Sequence, residues 1–350
     1  MTRARFVGVG AALPARVVGN AEIEDRLGVE RGWIESRTGV RERRMLGPGE
    51  SLVDLATEAA GRALDVAGLP PSAIDLVVTA TTSGPFLFPS LACLVHERLG
   101  LSSQPAFDVA AACAGFPHAV SVADQAIRCG DHRTVLAIGA DRLSALCEPL
   151  DRVTAPLFGD GAGAVVLRAE TGPDAAGILA LRLRALGAQW PILFARSCPP
   201  GAAGRDSDAV PAAAAARSGE AGEAGADATG TGPDDPWLRM RGADVFRVAV
   251  EHLVALTREV LSSAGIAPAD VDLLVPHQAN LRIVRSMVSQ LGIDEGRVAV
   301  NLDRCGNTSA ASIPIALAGA LAAGRIAPGS VVAMNAVGGG ITAGALVSRW

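Results

Sequence analysis

The chain has 350 residues, 49% hydrophobic and 19% charged, with 31 basic and 36 acidic residues for a formal net charge of -5. At roughly 150 residues per domain this length gives about two domains, each able to bury a core, and the near balance of charge excludes a strong field toward nucleic acid or a membrane surface. Aromatics make up only 3% and Tyr is absent, so stacking platforms for single-stranded nucleic acid are scarce too.

Six cysteines, at 93, 113, 129, 147, 198 and 305, follow no metal-ligand or C-x-x-C spacing. Structural zinc is therefore not expected, and a chain of this size needs no disulfides, so reduced thiols in the cytoplasm are the expectation. Arg3 and Arg5 ahead of Phe6 to Leu13 imitate a signal peptide, but the run is short, glycine-containing and followed by Pro14 and Arg16. It reads as a first strand. Its GVGAAL resembles a dinucleotide loop but lacks the third glycine, so no such site is assigned. No apolar stretch reaches the length of about 18 residues that a membrane span requires.

Further strands are expected at Asp75 to Ala80, Thr134 to Gly139, Ala162 to Leu167, Asp272 to Val275 and Ser330 to Ala336, separated by Ala/Leu/Arg-rich helical segments. That alternation predicts an α/β protein with strands buried on both faces. The chain also repeats itself. AGLPPSAIDLVVTATTSG from Ala67 matches AGIAPADVDLLVPHQANL from Ala264, and an offset of 197 residues carries Asp75 to Asp272, Val135 to Val332 and Cys113 to Ala310. GDGAGAVVL from Gly159 answers GGGITAGALV from Gly338 at a shorter offset. Two copies of one βαβ-rich unit are expected, residues 1–172 and 173–350. The segment at about 199–236, nearly free of large apolar residues, is expected to be a solvated loop inserted at the junction.

Cys113 follows the strand-like AFDVA and opens a helical run, a position at the positive end of a helix where a thiolate is favoured. Alone, a Cys among alanines reads more readily as a buried small hydrophobe than as a reactive thiol. The second copy changes that weighing. Its equivalent strand ends in VPHQAN, which brings His277 to the carboxyl edge of a sheet, and its strand-to-helix junction LDRCGNTSAASIP offers Asn307. Ligands of open α/β sheets gather at that edge, so a nucleophile and two carbonyl-binding donors are expected to converge there.

WIESRTGVRER, ATTSGPFLFPS, FDVAAACAGF, DRVTAPLFGDGAGA, VPHQANLRI, LDRCGNTSAASIP and GGGITAGALV, in this order along the chain, resemble the β-ketoacyl-acyl carrier protein synthase III family of thiolase-fold condensing enzymes. The resemblance implies a five-layered αβαβα sandwich of two similar halves, usually a homodimer, acting without metal or redox cofactor. Cys113 would take the acyl group of an acyl-CoA, with the backbone N–H groups of Cys113 and Gly339 as oxyanion hole. His277 and Asn307 would bind the thioester oxygen of malonyl-acyl carrier protein as carbon dioxide leaves. Trp33 and Arg152 would sandwich the CoA adenine, Arg37 would meet a phosphate and Asn280 the pantetheine arm. Arg247 and Arg282 would meet the acidic carrier protein, and Phe88 would close the acyl pocket of a partner subunit. Val337, Ile341 and Ala343 stand where many relatives carry large aromatics, and Ala243 replaces a polar residue near the CoA tunnel, so an acyl pocket accepting more than acetyl is expected. Initiation of fatty-acid synthesis is the first reading. A starter-loading ketosynthase or acyltransferase of a polyketide or specialised pathway is the alternative, and an inactive scaffold subunit is disfavoured by the three chemical residues.

Overall fold

A computed structural model describes residues 2–172, 176–196 and 236–350. Apart from Pro236, the proposed surface loop at 199–236 and its Cys198 neighbour lie outside the described residues.

The first half runs β1 (Thr2–Ala12), β2 (Val17–Gly19), α1 (Asn20–Leu27), α2 (Trp33–Thr38), β3 (Glu42–Arg44), α3 (Leu52–Ala67), β4 (Leu76–Ala80) and α4 (Leu91–Arg98), then β5 (Ala106–Val109), α5 (Gly115–Cys129), β6 (Thr134–Arg142) and β7 (Asp160–Thr171). After it come β8 (Gly177–Ala185), β9 (Leu193–Phe194), β10 (Arg239–Met240), α6 (Gly242–Ser263), β11 (Leu273–Pro276), α7 (Leu281–Leu291), α8 (Leu302–Cys305), α9 (Ser312–Ala322), β12 (Val331–Gly338) and β13 (Thr342–Arg349). All the expected strands are present.

A five-stranded sheet has the order β1-β7-β6-β4-β5 and a four-stranded sheet the order β11-β12-β13-β8. The repeat is visible in the register: Leu76 pairs with Val135 in the parallel β4/β6 ladder, and Leu273 with Val332 in the parallel β11/β12 ladder, both pairs related by the same offset of 197. A fifth strand of the second sheet is reduced to the parallel bridge between Leu274 and Val298. The repeated aspartates have a mechanical role. Asp75 donates its N–H to Thr134 O at 3.0 Å while its carboxylate accepts the N–H of Thr134 at 3.2 Å, and Asp272 does the same with Val331 at 3.0 and 2.8 Å. Each fastens the start of one parallel strand to the next, satisfying groups that would otherwise be orphaned at the sheet edge.

Alternating side chains split each sheet between two cores. On β6, Leu136, Ile138 and Ala140 meet α3 and α4, while Val135 and Ala137 meet the central layer of α5 and α9. On β12, Val332 and Met334 join that central core and Val331 and Ala333 the core under α6 and α7. This is the five-layered αβαβα arrangement, and α9, apolar all round in SIPIALAGALA, suits a helix covered on both faces. The glycines of GVGAAL serve this layering. A Cβ on Gly8 would fall 2.0 Å from Ala63 O and one on Gly10 2.2 Å from Ala59 O, so their absence lets α3 lie directly on β1.

Among the described residues no helix is long and apolar enough to cross a membrane. The five described cysteines are all free thiols.

Candidate active site

Cys113 sits in a single tight turn, Ala112–Ala114, between β5 and the start of α5. Ala112 is held at φ +45°, a left-handed conformation that costs energy for a residue with a Cβ. The turn survives because it is clamped. A Cβ on Gly338, at the end of β12, would fall 2.7 Å from Cys113 N and 2.8 Å from Ala111 O and Ala114 N, so glycine there lets the second half press its backbone on the Cys113 turn. This close approach belongs to Gly338 and not to Gly339, whose missing Cβ would come no nearer than 3.3 Å to Leu193 O and 3.5 Å to Ala112 Cβ.

The expected thiolate is not the resting form. Burial pushes the Cys113 thiol up to about 12; the Ser309 side chain pulls against it, the charge of Asp141 adds to the rise, and the Cys113 backbone and Asn307 pull down by less. Desolvation outweighs the helix end here because both halves close over the sulfur.

His277 follows β11 directly and donates its N–H to Asn335 O at 2.8 Å. Its Nδ1 lies 2.6 Å from the hydroxyl of Ser312, the first residue of α9. Burial pushes its pKa down to about 3, so the ring is neutral at physiological pH. With the Ser312 hydroxyl donating to Nδ1, the proton is assigned to Nε2, the tautomer that offers a donor at the far side of the ring.

Asn307 is gripped by the segment after Pro156. Its N–H donates to Leu157 O at 2.8 Å, its carbonyl accepts from Gly159 N at 3.0 Å, and its Oδ1 accepts from Ser309 N at 2.9 Å. With Oδ1 committed, the amide nitrogen is the group left to face Cys113. Cys113, His277, Asn307 and Asn280 line one cavity of about 120 Å³, with mostly apolar side chains such as Phe158, Phe246 and Met240 forming the rest of its wall. A small number of polar groups converging in an apolar cleft is the usual form of a ligand site.

Two residues of the acyl-pocket expectation, Val337 and Ile341, line this same cavity, with Ile341 at φ +47°. Ala343 pairs with Val337 across β12 and β13 and is buried under the outer helices. Ala243 is exposed at the start of α6. Asn280 caps α7, accepting from Arg282 N at 2.8 Å, and donates to Arg37 O at 3.3 Å. Arg282 donates to Ser36 O at 3.2 Å, so α7 and α2 are tied together beside the cavity mouth. Arg37 lies over the Trp33 ring at 4.5 Å, a cation–π contact, while Arg152 donates to Leu27 O at 3.3 Å. Arg247 is 70% exposed and only 3.8 Å from Asp244. Phe88 is 83% exposed, in a loop with Phe86 and Leu87.

Three contributors escape sequence reasoning. Ser312 and Ser309 are polar residues inside a small-residue run, and only their place opposite Gly115 and Ala112 in the repeat marks them. Asp141, fully buried, accepts from Thr82 N at 2.8 Å, Ser83 Oγ at 2.7 Å and Ala310 N at 3.2 Å. It thereby ties the end of β6 to the turn after Asn307. Ser309 Oγ, buried beside both Asp141 and the Cys113 sulfur, has no well-formed hydrogen bond of its own.

Two sheet-and-helix halves that bring a cysteine from one and a histidine and asparagine from the other to a shared cavity define a condensing enzyme of the thiolase fold. Residues 107–187 match the model of 3-oxoacyl-[acyl-carrier-protein (ACP)] synthase III and residues 261–350 that of its C-terminal part. The chain is 41% identical to "Beta-ketoacyl-[acyl-carrier-protein] synthase III 1" of Vibrio vulnificus over 99% of both chains, and 42% identical to the synthase III of Rhizorhabdus wittichii over 100% of both. The crystal structure of 3-oxoacyl-[acyl-carrier-protein] synthase III from Aquifex aeolicus is similar with a TM-score of 0.86 at 38% identity, covering 99% of this chain and 100% of that one. The priming β-ketosynthase of a polyketide biosynthetic pathway gives 0.85 at 34% identity, covering 99% and 96%. The chain belongs to the β-ketoacyl-acyl carrier protein synthase III family.

Proposed function

We propose that this chain is an acyltransferase that condenses an acyl-CoA starter with malonyl-acyl carrier protein, with loss of carbon dioxide, to begin fatty-acid synthesis. The observation that carries this reading is the cavity shared by Cys113, His277 and Asn307. Cys113 sulfur attacks the thioester carbonyl, the thiol proton leaves as the bond forms, and the departing CoA sulfur accepts it. Oxyanion charge falls to the backbone N–H groups of Cys113 and Gly339. Trp33, Arg37, Arg152 and Asn280 serve CoA: adenine takes the indole face that Arg37 covers, and Arg37 turns to a phosphate. Malonyl-carrier protein then docks against Arg247 and Arg282. His277 Nε2 and the Asn307 amide donate to its thioester oxygen, which gains enolate charge as the carboxylate leaves as carbon dioxide. The enolate carbon attacks the acyl-Cys113 carbonyl, and the thiolate of Cys113 is expelled and reprotonated.

Nothing in these steps calls for a metal or redox cofactor. The units are residues 1–172, giving the nucleophile, and 173–350, giving the two donors. The exposed Phe86 to Phe88 loop suits a homodimer contact in which Phe88 closes the partner's acyl pocket. The near-neutral charge balance fits a cytoplasmic enzyme with no nucleic-acid or membrane partner.

A second reading, a starter-loading ketosynthase of a specialised pathway, is favoured by the likeness to the polyketide priming enzyme and by the small Val337 and Ile341 at the cavity. A panel of acyl-CoAs crossed with malonyl-carrier protein tests both. Longer, branched or aromatic starters should match or exceed acetyl-CoA, and an advantage of about tenfold or more in kcat/KM for acetyl-CoA would reject the enlarged pocket.

A further inference from the structure

Arg43 is the largest fully buried side chain of the described chain, 0% exposed. Its Nη1 donates to Val18 O at 3.2 Å and Asn20 Oδ1 at 2.9 Å, and its Nη2 donates to Pro156 O at 2.6 Å. Among the described residues no carboxylate accepts from it; Glu24, Glu22 and Glu42 act only at a distance. Burial lowers its pKa to about 10, which leaves it protonated at neutral pH. A buried cation without a counter-ion is costly, and three neutral oxygens set by a planar fork supply orientation more than charge pairing.

What that fork orients is the grip on Asn307. Pro156 leads into Leu157, whose carbonyl accepts the Asn307 N–H, and into Gly159, whose N–H donates to the Asn307 carbonyl, with Phe158 and Asn307 in a parallel bridge between them. The stem of Arg43 packs on both sides of this grip. A Cβ on Gly306 would fall 3.0 Å from Arg43 Cβ and one on Gly159 3.1 Å from it. Cys113 has other supports: Gly338 and Ala111 set its turn.

We propose that Arg43 is a positioning residue for decarboxylation: through Pro156 and the residues after it, it sets the Asn307 amide against the malonyl thioester oxygen while leaving acylation of Cys113 untouched. This rests on the reading that Asn307 binds that oxygen. Misplacing a donor by about 1 Å costs up to ~100-fold in rate, so the effect falls on kcat of one half-reaction.

The test measures both half-reactions on the same preparations of full-length protein: acyl-Cys113 formation by intact mass, and carbon dioxide release from malonyl-carrier protein. Arg43→Met, Arg43→Lys and Asn307→Ala are compared with the wild type. Acylation should stay within about twofold in both Arg43 variants, while decarboxylation kcat falls about tenfold or more in Arg43→Met and about threefold in Arg43→Lys at nearly constant KM. Equal losses in the two half-reactions, or no loss in decarboxylation, would overturn the proposal. Arg43→Lys keeps the charge and the packed stem and decides by the same criterion if Arg43→Met does not fold. Full decarboxylation by Asn307→Ala would refute the reading of Asn307 and the proposal with it. Loss in Asn307→Ala alone, with both Arg43 variants unaffected, would refute only the role of Arg43.

Discussion

The two halves build the same corner and furnish it differently. At the end of β4 stands Ala80 and, 197 residues on, just past the end of β11 stands His277; Ala110 answers Asn307, Cys113 answers Ala310 and Gly115 answers Ser312. In the first half a Cβ on Gly115 would fall 2.8 Å from Ala80 Cβ, a dry contact of two small residues. In the second the same two positions carry the 2.6 Å contact of His277 Nδ1 with Ser312 Oγ. Both turns contain a residue forced to positive φ, Ala112 at +45° and Ser309 at +51°. Each turn also presses on a glycine of the other half, Cys113 on Gly338 of β12 and Ala310 on Gly139 of β6. The strained backbone is thus common scaffold, and in the proposed function the chemistry is divided. One half would keep the nucleophile with space cleared around it, and the other would supply oriented donors, with alanine where a second nucleophile would stand.

The largest effect that tests this division is Cys113→Ala, which should abolish the acyl adduct in intact-mass spectra and lower turnover by about 10³-fold or more. An adduct equal to that of the wild type would place the nucleophile elsewhere. Next come the cross-braces. Gly338→Ala forces a Cβ against three backbone atoms of the Cys113 turn and Gly139→Ala forces one 2.2 Å from Ala310 O, each costing about 1–3 kcal/mol of stability by overpacking. Calorimetry should show both losses, while half-reaction assays should show acylation hit harder in Gly338→Ala and decarboxylation harder in Gly139→Ala. The same half-reaction hit harder in both variants would break the comparison.

Ser312→Ala is subtler. Without the hydroxyl the ring of His277 loses the bond that selects its tautomer, and decarboxylation should fall about tenfold, the worth of one buried hydrogen bond, with acylation unchanged. Stability against pH tests the burial of the same histidine. His277 has a folded pKa near 3 and an unfolded one near 6.5, so below about pH 6.5 the unfolded chain binds a proton that the folded chain refuses. Its contribution is therefore fully present above that pH and is lost as pH falls, at up to about 1.4 kcal/mol per unit. Urea unfolding at pH 7, 6 and 5 should show the wild type losing this much relative to His277→Gln, and parallel curves would contradict it.

That Cys113, His277 and Asn307 meet in one cavity was legible in the sequence because the repeat lines up strand ends and junctions, and local spacing survives folding. Asp75 and Asp272 were legible as markers of that repeat, though not as clasps between strands. What escaped was whatever depends on residues distant in sequence meeting. The thiol of Cys113 is raised by burial that both halves create, against the helix-end effect visible in the local sequence. Gly338 against the Cys113 turn, Ser312 behind His277 and Arg43 behind Asn307 are all contacts across long separations, whereas Arg37 over Trp33 is a local contact within α2. Gly8 and Gly10 resembled part of a phosphate loop because a glycine looks the same in sequence whether it admits a ligand or a helix.

The division of labour is tested most directly by following acyl-Cys113 formation and carbon dioxide release in His277→Ala and Asn307→Ala, with the wild type alongside. The account predicts acyl adducts close to the wild-type level in both variants and decarboxylation lowered by about 10²-fold or more, the cost of removing one oxyanion donor. Variants that lose acylation and decarboxylation together, or that keep both, would contradict it.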